Sequence, residues 1–176
     1  MKALLIIDML NDFAHKDGKL YCETAKLVIP KIVAIRKKAR ELGIPIIYIM
    51  DRHKKGDKEL KLWGDHAMVG TWGSFPVKDL MIRPSEIVVT KSFYSGFSRS
   101  DLDKILKARK IKTLIVTGMH THICVAHTCY DAFLKGFKLI VVSDATGTFN
   151  DKKHKEGLEF IRTAYGAKII KSGEFE

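Results

Sequence analysis

The sequence lacks a long apolar run and a cysteine framework. None of its apolar segments approaches the ~20 residues that a membrane-spanning helix needs. The apolar segment at residues 3–7 stops at Asp8 and has no small-residue cleavage site after it. The three cysteines, Cys22, Cys124 and Cys129, have no metal-knuckle spacing and are too few for a disulfide scaffold. We therefore expect a cytoplasmic protein without a membrane partner.

The sequence also lacks the features of a nucleic-acid-binding protein, although its net charge is +11. Its basic residues are spread along the chain, for example at 36–38 and 107–110, which we expect on helix faces. There is no basic tail, no helix-turn-helix pattern and no interleaved aromatic platform. We expect a solvated, lysine-rich surface and no nucleic-acid partner.

Strand and helix patterns alternate along the whole chain. Apolar runs predict strands at residues 2–8, 45–51, 86–91, 112–117, 137–143 and 167–171. Helix start and stop signals predict helices at about 24–42, 100–110, 122–135 and 151–165. This alternation predicts a single α/β domain over residues 1–176. We expect a three-layer, doubly wound, Rossmann-like fold with a central six-stranded parallel sheet flanked by helices.

Residues with useful chemistry follow the predicted strands. Asp8, Asp51 and Lys91 end the first three strands, the turn at 118–124 follows the fourth, and Asp144 follows the fifth. In a doubly wound sheet the ligand crevice lies outside the carboxyl ends of the strands. We therefore expect these residues to surround one crevice.

Cys124 lies in the first turn of the predicted helix after the fourth strand. Free N–H groups and the dipole at such a position lower a thiol's pKa, and the same N–H groups can hold an oxyanion. A buried structural cysteine explains this position equally well, just as helix capping explains Asp8 and a surface lysine explains Lys91. Together, however, a base, a nucleophile and a positive group fit acyl transfer, with Asp8 as the base.

A second candidate cluster contains one carboxylate and two imidazoles. Asp51, His53 and His66 form a common ligand set for zinc, iron or manganese. Ordinary loop histidines are the alternative explanation. Both histidines fall in residues 52–85. This stretch is longer than most connections between strands and helices, so we expect it to carry function.

Three motifs carry a family resemblance. Residues 6–13 (IIDMLNDF) contain Asp8, residues 90–97 (TKSFYSGF) contain Lys91, and residues 118–125 (GMHTHICV) contain Cys124. In this order they resemble the base, lysine and nucleophile motifs of the isochorismatase-like cysteine hydrolases, and most closely those of the nicotinamidases. The resemblance extends from about residue 3 to residue 171.

The resemblance implies further details of the site. It implies a cis peptide between Met119 and His120, and an oxyanion hole formed by the backbone N–H groups of His120 and Cys124. Phe13 and Trp63 match aromatic residues that sandwich the substrate ring in nicotinamidases. We expect Phe13, Trp63 and Met119 to contact the substrate.

The resemblance also implies a divalent metal, with zinc favoured over iron or manganese. Asp51, His53 and His66 match the metal ligands of nicotinamidases, where the metal binds the pyridine nitrogen. Two positions depart from the nicotinamidase pattern, because Gly64 replaces a common proline and Ala67 replaces a common cysteine. These departures leave the substrate open.

The expected activity is hydrolysis of a small amide through a thioester on Cys124, with release of ammonia. Nicotinamide is the first candidate substrate, and N-carbamoylsarcosine and ureidoacrylate are alternatives. Isochorismate is less favoured, because the enzymes that act on it use no metal. The alternatives outside catalysis are an α/β scaffold and a basic binding module. We also expect a homo-oligomer, with the helix face at 122–135 as a candidate interface.

Overall fold

The computed structural model describes residues 1–175 as alternating strands and helices. The strands are β1 (Lys2–Ile7), β2 (Ile46–Asp51), β3 (Ile87–Lys91), β4 (Thr113–Met119), β5 (Lys138–Gly147) and β6 (Lys168–Ile170). The helices are α1 (Asn11–Ala14), α2 (Ala25–Glu41), α3 (Leu60–Trp63), α4 (Leu102–Ala108), α5 (Ala126–Leu134) and α6 (Asp151–Tyr165). A π-helical turn, Thr121–Val125, precedes α5. None of the helices in residues 1–175 combines the length and apolarity needed to cross a bilayer.

The six strands form one parallel sheet in the order β3-β2-β1-β4-β5-β6. This confirms the predicted doubly wound α/β fold. Because the strand order reverses between β1 and β4, the connections that leave these two strands diverge to opposite faces of the sheet. The resulting crevice lies at the carboxyl ends of β1 and β4.

The strands are apolar because helices cover both faces of the sheet. Leu4 and Ile6 point into a core shared with α1 and α2, whereas Leu5 and Ile7 point into a second core shared with α4, α5 and α6. All four side chains are fully buried. Burial of each such side chain contributes about 1.5–3 kcal/mol, so the alternation along β1 fixes its register.

Helix α2 packs along one face of the sheet. Its buried side chains include Val28, Ile32, Ile35 and Ala39, which recur at helical spacing. Pro30 lies inside the helix, one turn after its start. The observed bounds agree with the predicted helix at about 24–42.

Strand β5 is longer than predicted. It continues to Gly147 instead of ending at residue 143, because Thr146 and Gly147 pair with Gly118 and Met119 of β4 after a register shift. The extension carries the chain to Phe149 at the carboxyl edge of the sheet. Residues after this point therefore reach the crevice, which the predicted strand end did not show.

Gly118 allows the close approach of β4 to β1. Its φ is +112°, and a Cβ atom at this position would lie 2.0 Å from the backbone oxygen of Ile7. Any larger residue would clash with β1 in addition to adopting a strained backbone. The turn that leads to Cys124 can thus begin directly beside the end of β1.

Candidate active site

The fold brings together Asp8, Lys91 and Cys124, the three residues for which acyl-transfer roles are predicted. Asp8 follows β1, Lys91 ends β3, and Cys124 lies in the π-helical turn after β4. The Lys91 Nζ atom lies 2.8 Å from Asp8 Oδ2 and donates to Cys124 Sγ over 3.6 Å. All three residues are buried. Their charges therefore interact more strongly than they would in water.

The backbone holds the Asp8 carboxylate in place. Asp8 has a φ of 51°, which is uncommon for a residue other than glycine. Its N–H donates to the carbonyl of Ile49, and its Oδ1 atom accepts the N–H of Asp51 over 2.8 Å. Both contacts come from β2. The orientation of the carboxylate consequently depends on the pairing of β1 with β2.

Asp51 connects these three residues to a second cluster. Its Oδ1 atom accepts a hydrogen bond from Lys91 Nζ, and its Oδ2 atom lies 3.7 Å from His53 Nε2. The contact with Lys91 follows from the register of β2 and β3, in which Asp51 is paired with Lys91. From the sequence, Asp51 was predicted as a metal ligand only. In the structure one carboxylate faces both the lysine and the candidate metal cluster.

Burial and charge set the protonation of this site. Burial, followed by the charge of Asp51, raises the pKa of Asp8 to about 6, against the effect of Lys91. Burial alone would lower the pKa of Lys91, but the carboxylates of Asp51 and Asp8 outweigh it and hold that pKa well above its usual value. Lys91 is therefore an ammonium group, while Asp8 can lose or gain a proton near neutral pH.

The expected lowering of the Cys124 pKa does not occur. Burial raises the pKa of the Cys124 thiol well above its usual range, although Lys91 acts in the opposite direction. The physical reason is that Cys124 is only 6% exposed and lies in the π-helical turn, before α5 begins at Ala126. The resting form is thus a thiol, which is a weaker nucleophile than a thiolate.

Four side chains form the candidate metal cluster. One potential ligand atom from each of them lies within 4.8 Å of the others, and all are buried: Asp51, His53, Glu59 and His66. Three of these residues were predicted from the sequence, whereas Glu59 was not. It lies in the lysine-rich stretch between His53 and Trp63, and an acidic residue between the two histidines was the available signal. The short helix α3, which starts at residue 60, turns Glu59 inward.

The unpaired atoms of this cluster fit a metal ion. His53 Nε2 and Glu59 Oε1 are buried and have no hydrogen-bond partner among the described residues. The other ring nitrogen of His53 donates to Asp57 over 3.2 Å, and Nδ1 of His66 donates to the carbonyl of Gly64 over 2.8 Å. Metal-binding histidines commonly donate their second N–H in this way, which leaves Nε2 free.

Burial also raises the pKa of Glu59, to about 7, and the neighbouring charge of Asp51 acts in the same direction. The charges of Lys91 and His53 act in the opposite direction but do not offset the effect of burial. A divalent cation would add positive charge and would favour the ionised form of Glu59. The four residues therefore fit a divalent metal in both geometry and charge.

A small cavity of ≈ 20 Å³ lies between the two clusters. Phe13 and Trp63 line it as expected, and His120 and Cys124 form part of its wall. The peptide between Met119 and His120 is cis, which confirms that implication of the resemblance. The lining also includes Asp51, His66 and Ile123, together with four residues that were not expected there: Leu20, Glu59, Tyr94 and Phe149.

Two of the expected crevice residues lie elsewhere. Met119 is fully buried in the core beside α2 and is not part of the cavity wall, so the structure does not support it as a substrate contact. Asp144 lies within the extended β5, where its carboxylate accepts hydrogen bonds from the N–H and hydroxyl of Ser172. Its role in the structure is to fix the segment after β6.

Comparison with known protein families gives a result that agrees with this architecture. The sequence model of the isochorismatase domain family matches residues 2–174 of the chain. The protein therefore belongs to the isochorismatase family of hydrolases.

Solved structures of several relatives share the fold. An N-carbamoylsarcosine amidase from Thermoplasma acidophilum is 33% identical, with a TM-score of 0.92 over 99% of this chain and 98% of that one. The nicotinamidase PncA from Bacillus subtilis is 31% identical, with a TM-score of 0.91 over 97% and 99% of the two chains. A pyrazinamidase of Pyrococcus horikoshii in complex with zinc is 28% identical, with a TM-score of 0.88 over 97% and 98%.

Proposed function

We propose that this hydrolase is a metal-dependent cysteine amidase that converts nicotinamide to nicotinic acid and ammonia. The observation that carries the proposal is the buried ammonium of Lys91, which contacts Asp8, Asp51 and Cys124 at once. This ammonium group lies between the three side chains, where a metal ion could otherwise bind. A nucleophile, a base and a fixed positive charge thus lie beside one cavity.

Asp8 and Cys124 carry out the proposed chemistry. Asp8, with its pKa of about 6, removes the proton of the Cys124 thiol as sulfur attacks the amide carbonyl. Backbone N–H groups of His120 and Cys124 stabilise the oxyanion. Asp8 then returns the proton to the leaving nitrogen, so that the C–N bond breaks and ammonia departs. Water, with its proton taken by Asp8, finally cleaves the thioester into acid and thiol.

Lys91 stabilises the charges without exchanging a proton. Its pKa lies well above the usual value, so it remains an ammonium while negative charge moves between Asp8 and Cys124. Its position is fixed because it ends β3 and because Asp51 accepts one of its hydrogen bonds. This fixed charge lowers the cost of forming a thiolate in a buried site.

The four-residue cluster supports a role for a metal. Asp51, His53, Glu59 and His66 would hold the ion, and nitrogen and oxygen ligands of this kind suit zinc, with iron or manganese as alternatives. When bound, the ion would act as a Lewis acid toward a lone pair of the substrate, such as that of the pyridine nitrogen. The zinc complex of the Pyrococcus horikoshii relative supports the same ion here.

A second candidate substrate is N-carbamoylsarcosine. The relative with that activity is 33% identical and has a TM-score of 0.92, so overall similarity does not separate it from the nicotinamidase. The two aromatic side chains Phe13 and Trp63 in the cavity wall favour a flat ring over an acyclic ureide. We therefore rank nicotinamide first.

Ammonia release tests the proposal directly. The purified enzyme would be assayed with nicotinamide, pyrazinamide, N-carbamoylsarcosine and ureidoacrylate, before and after removal of metal with a chelator. We expect the highest kcat/KM for nicotinamide, its loss on chelation and its return with Zn²⁺. A higher kcat/KM for N-carbamoylsarcosine would select the second candidate, and full activity after verified metal removal would contradict the metal dependence.

A further inference from the structure

The cavity beside Cys124 is too small for an amide substrate. Its volume of ≈ 20 Å³ has room for about one water molecule. Any carboxamide contains several heavy atoms. At least one side chain of the cavity wall must therefore move before a substrate can reach the thiol.

Most of the wall is held in place. The Trp63 Nε1–H donates to the Tyr94 hydroxyl over 3.0 Å, and Phe13 is only 4% exposed. Leu20 and Ile123 pack against the two cores of the molecule. Phe149 differs from these residues, because it is 40% exposed and its hydrocarbon ring has no hydrogen bond to lose.

The Phe149 ring covers flat surfaces that a planar substrate would use. It stacks on the imidazole of His120 with centroids 4.4 Å apart and an interplanar angle of 22°. It is also nearly parallel to Trp63, at 6.1 Å and 21°. Beneath it, His120 is buried and its Nε2 atom has no hydrogen-bond partner within residues 1–175. Movement of Phe149 would thus uncover an aromatic face and an unsatisfied polar atom together.

The backbone on both sides of Phe149 is anchored. The carbonyl of Thr148 accepts from Thr24 over 3.0 Å, and the Thr148 hydroxyl lies 2.9 Å from Nδ1 of His122. On the other side, Asn150 caps α6 by accepting the N–H of Lys153. The available motion is accordingly a rotation of the Phe149 side chain, which is fast for an exposed residue.

We propose that Phe149 is the gate of the active site and a size filter for its substrates. In the closed position the ring occupies the place of a planar substrate against His120 and Trp63. Rotation toward solvent opens this place to small, flat amides, whereas bulkier molecules are excluded by the ring. This inference rests on the proposed function, since it concerns access to the same Cys124 thiol.

Alkylation of Cys124 tests the gate without using any amide. The wild-type protein and the variant Phe149→Ala would be treated with iodoacetamide, which is small, and with N-benzylmaleimide, which is bulkier than nicotinamide, at one pH. Mass spectrometry of the peptides would separate Cys124 from the buried Cys22 and Cys129. We expect Phe149→Ala to accelerate the maleimide reaction at Cys124 by about tenfold or more, and the iodoacetamide reaction by much less.

Two further variants complete the test. Phe75→Ala removes a ring that is 46% exposed and is not part of the cavity wall, so it should leave both rates unchanged. Phe149→Trp enlarges the ring and should slow the maleimide reaction, while thermal unfolding verifies that each variant is folded. Equal maleimide rates in wild type and Phe149→Ala, or equal acceleration of both reagents, would overturn the gate. Absence of ammonia release from every amide would instead overturn the proposed function and leave the alkylation rates interpretable.

Discussion

The Cys124 thiol is the group on which the proposed chemistry depends. Its pKa is raised by burial, so the resting group is a thiol, and in the proposed mechanism Asp8 removes its proton. Replacement by alanine removes the nucleophile, and the remaining groups cannot form a thioester. We expect Cys124→Ala to lower kcat for nicotinamide by about 10⁴-fold or more, as measured by ammonia release.

The same variant should keep its fold and its metal. Cys124 is not one of the four residues of the candidate metal cluster, although it lies on the same cavity. Zinc content and circular dichroism should therefore match those of the wild type. Substantial amidase activity in a Cys124→Ala preparation with normal zinc content would rule out the thioester route.

Glu59 is the candidate ligand that distinguishes this cluster from a three-residue site. Glu59→Gln preserves its size and removes its charge. We expect this change to weaken zinc binding by about tenfold or more, measured by competition with a chromophoric chelator. Glu156→Gln on the exposed side of α6 is the matched control and should bind zinc normally. An unchanged zinc affinity in Glu59→Gln would remove Glu59 from the ligand set.

At the scale of elements, Asp12 attaches the long connection between β2 and β3 to α1. Its Oδ2 atom accepts the N–H of Ala67 over 2.8 Å, and its Oδ1 atom accepts the N–H of Lys19. Gly73 packs so closely on this carboxylate that a Cβ atom would lie 2.0 Å from it. Since Ala67 directly follows His66, this attachment also positions a candidate metal ligand.

We therefore expect Asp12→Ala to impair both stability and metal binding. The buried N–H of Ala67 would lose its acceptor, at a cost of about 1–3 kcal/mol in the free energy of unfolding. Zinc affinity should fall because His66 is no longer held. Chemical denaturation and zinc titration would measure the two effects. A loss of stability with normal zinc affinity would show that Asp12 supports the connection without positioning the metal site.

At the scale of the whole molecule, a buried ion pair joins α2 to the edge of the sheet. Arg36 of α2 donates two hydrogen bonds, of 2.7 and 2.6 Å, to the carboxylate of Glu86 just before β3. Burial alone would raise the pKa of Glu86, but the hydrogen bonds from Arg36 and from the Arg83 N–H outweigh it, so this pKa lies below its usual 4.5. The ionised pair therefore stabilises the fold when the pH is above the usual glutamate pKa of 4.5.

Removal of Glu86 from this ion pair should destabilise the fold, because it would leave the charge of Arg36, which is only 5% exposed, without its partner. We expect Glu86→Ala to lower the free energy of unfolding by about 3–5 kcal/mol near neutral pH. A lowered carboxyl pKa stabilises the folded state above the unfolded pKa, and this stabilisation is lost as pH falls through the folded pKa. The difference between wild type and variant in urea denaturation should thus shrink in acid. A difference that is constant with pH would contradict this role of Glu86.

Other properties of the whole molecule stay predictions. The homo-oligomer, the cytoplasmic location and the lack of a nucleic-acid partner rest on the sequence. The structure adds that Tyr130, Phe133 and Leu134 of α5 are each about half exposed or more. They lie on the helix face that was predicted as a candidate interface.

The architecture and the residues at the strand ends follow from local patterns in the sequence. Buried parallel strands require continuous apolar runs, and these are local features that can be read one segment at a time. Because all strands of such a sheet point the same way, the polar residues that end them meet at one edge. The proximity of Asp8, Lys91 and Cys124 could be predicted on this basis, and so could Asp51.

The interactions of those residues and their surroundings depend on tertiary packing. The pKa of Cys124 depends on burial, which opposed the expected effect of the helix start. Glu59 and Phe149 belong to connections whose course follows from packing, since a turn at α3 and the extension of β5 bring them to the cavity. Side chains on such connections are placed by contacts with distant segments, and no local pattern in the chain encodes those contacts.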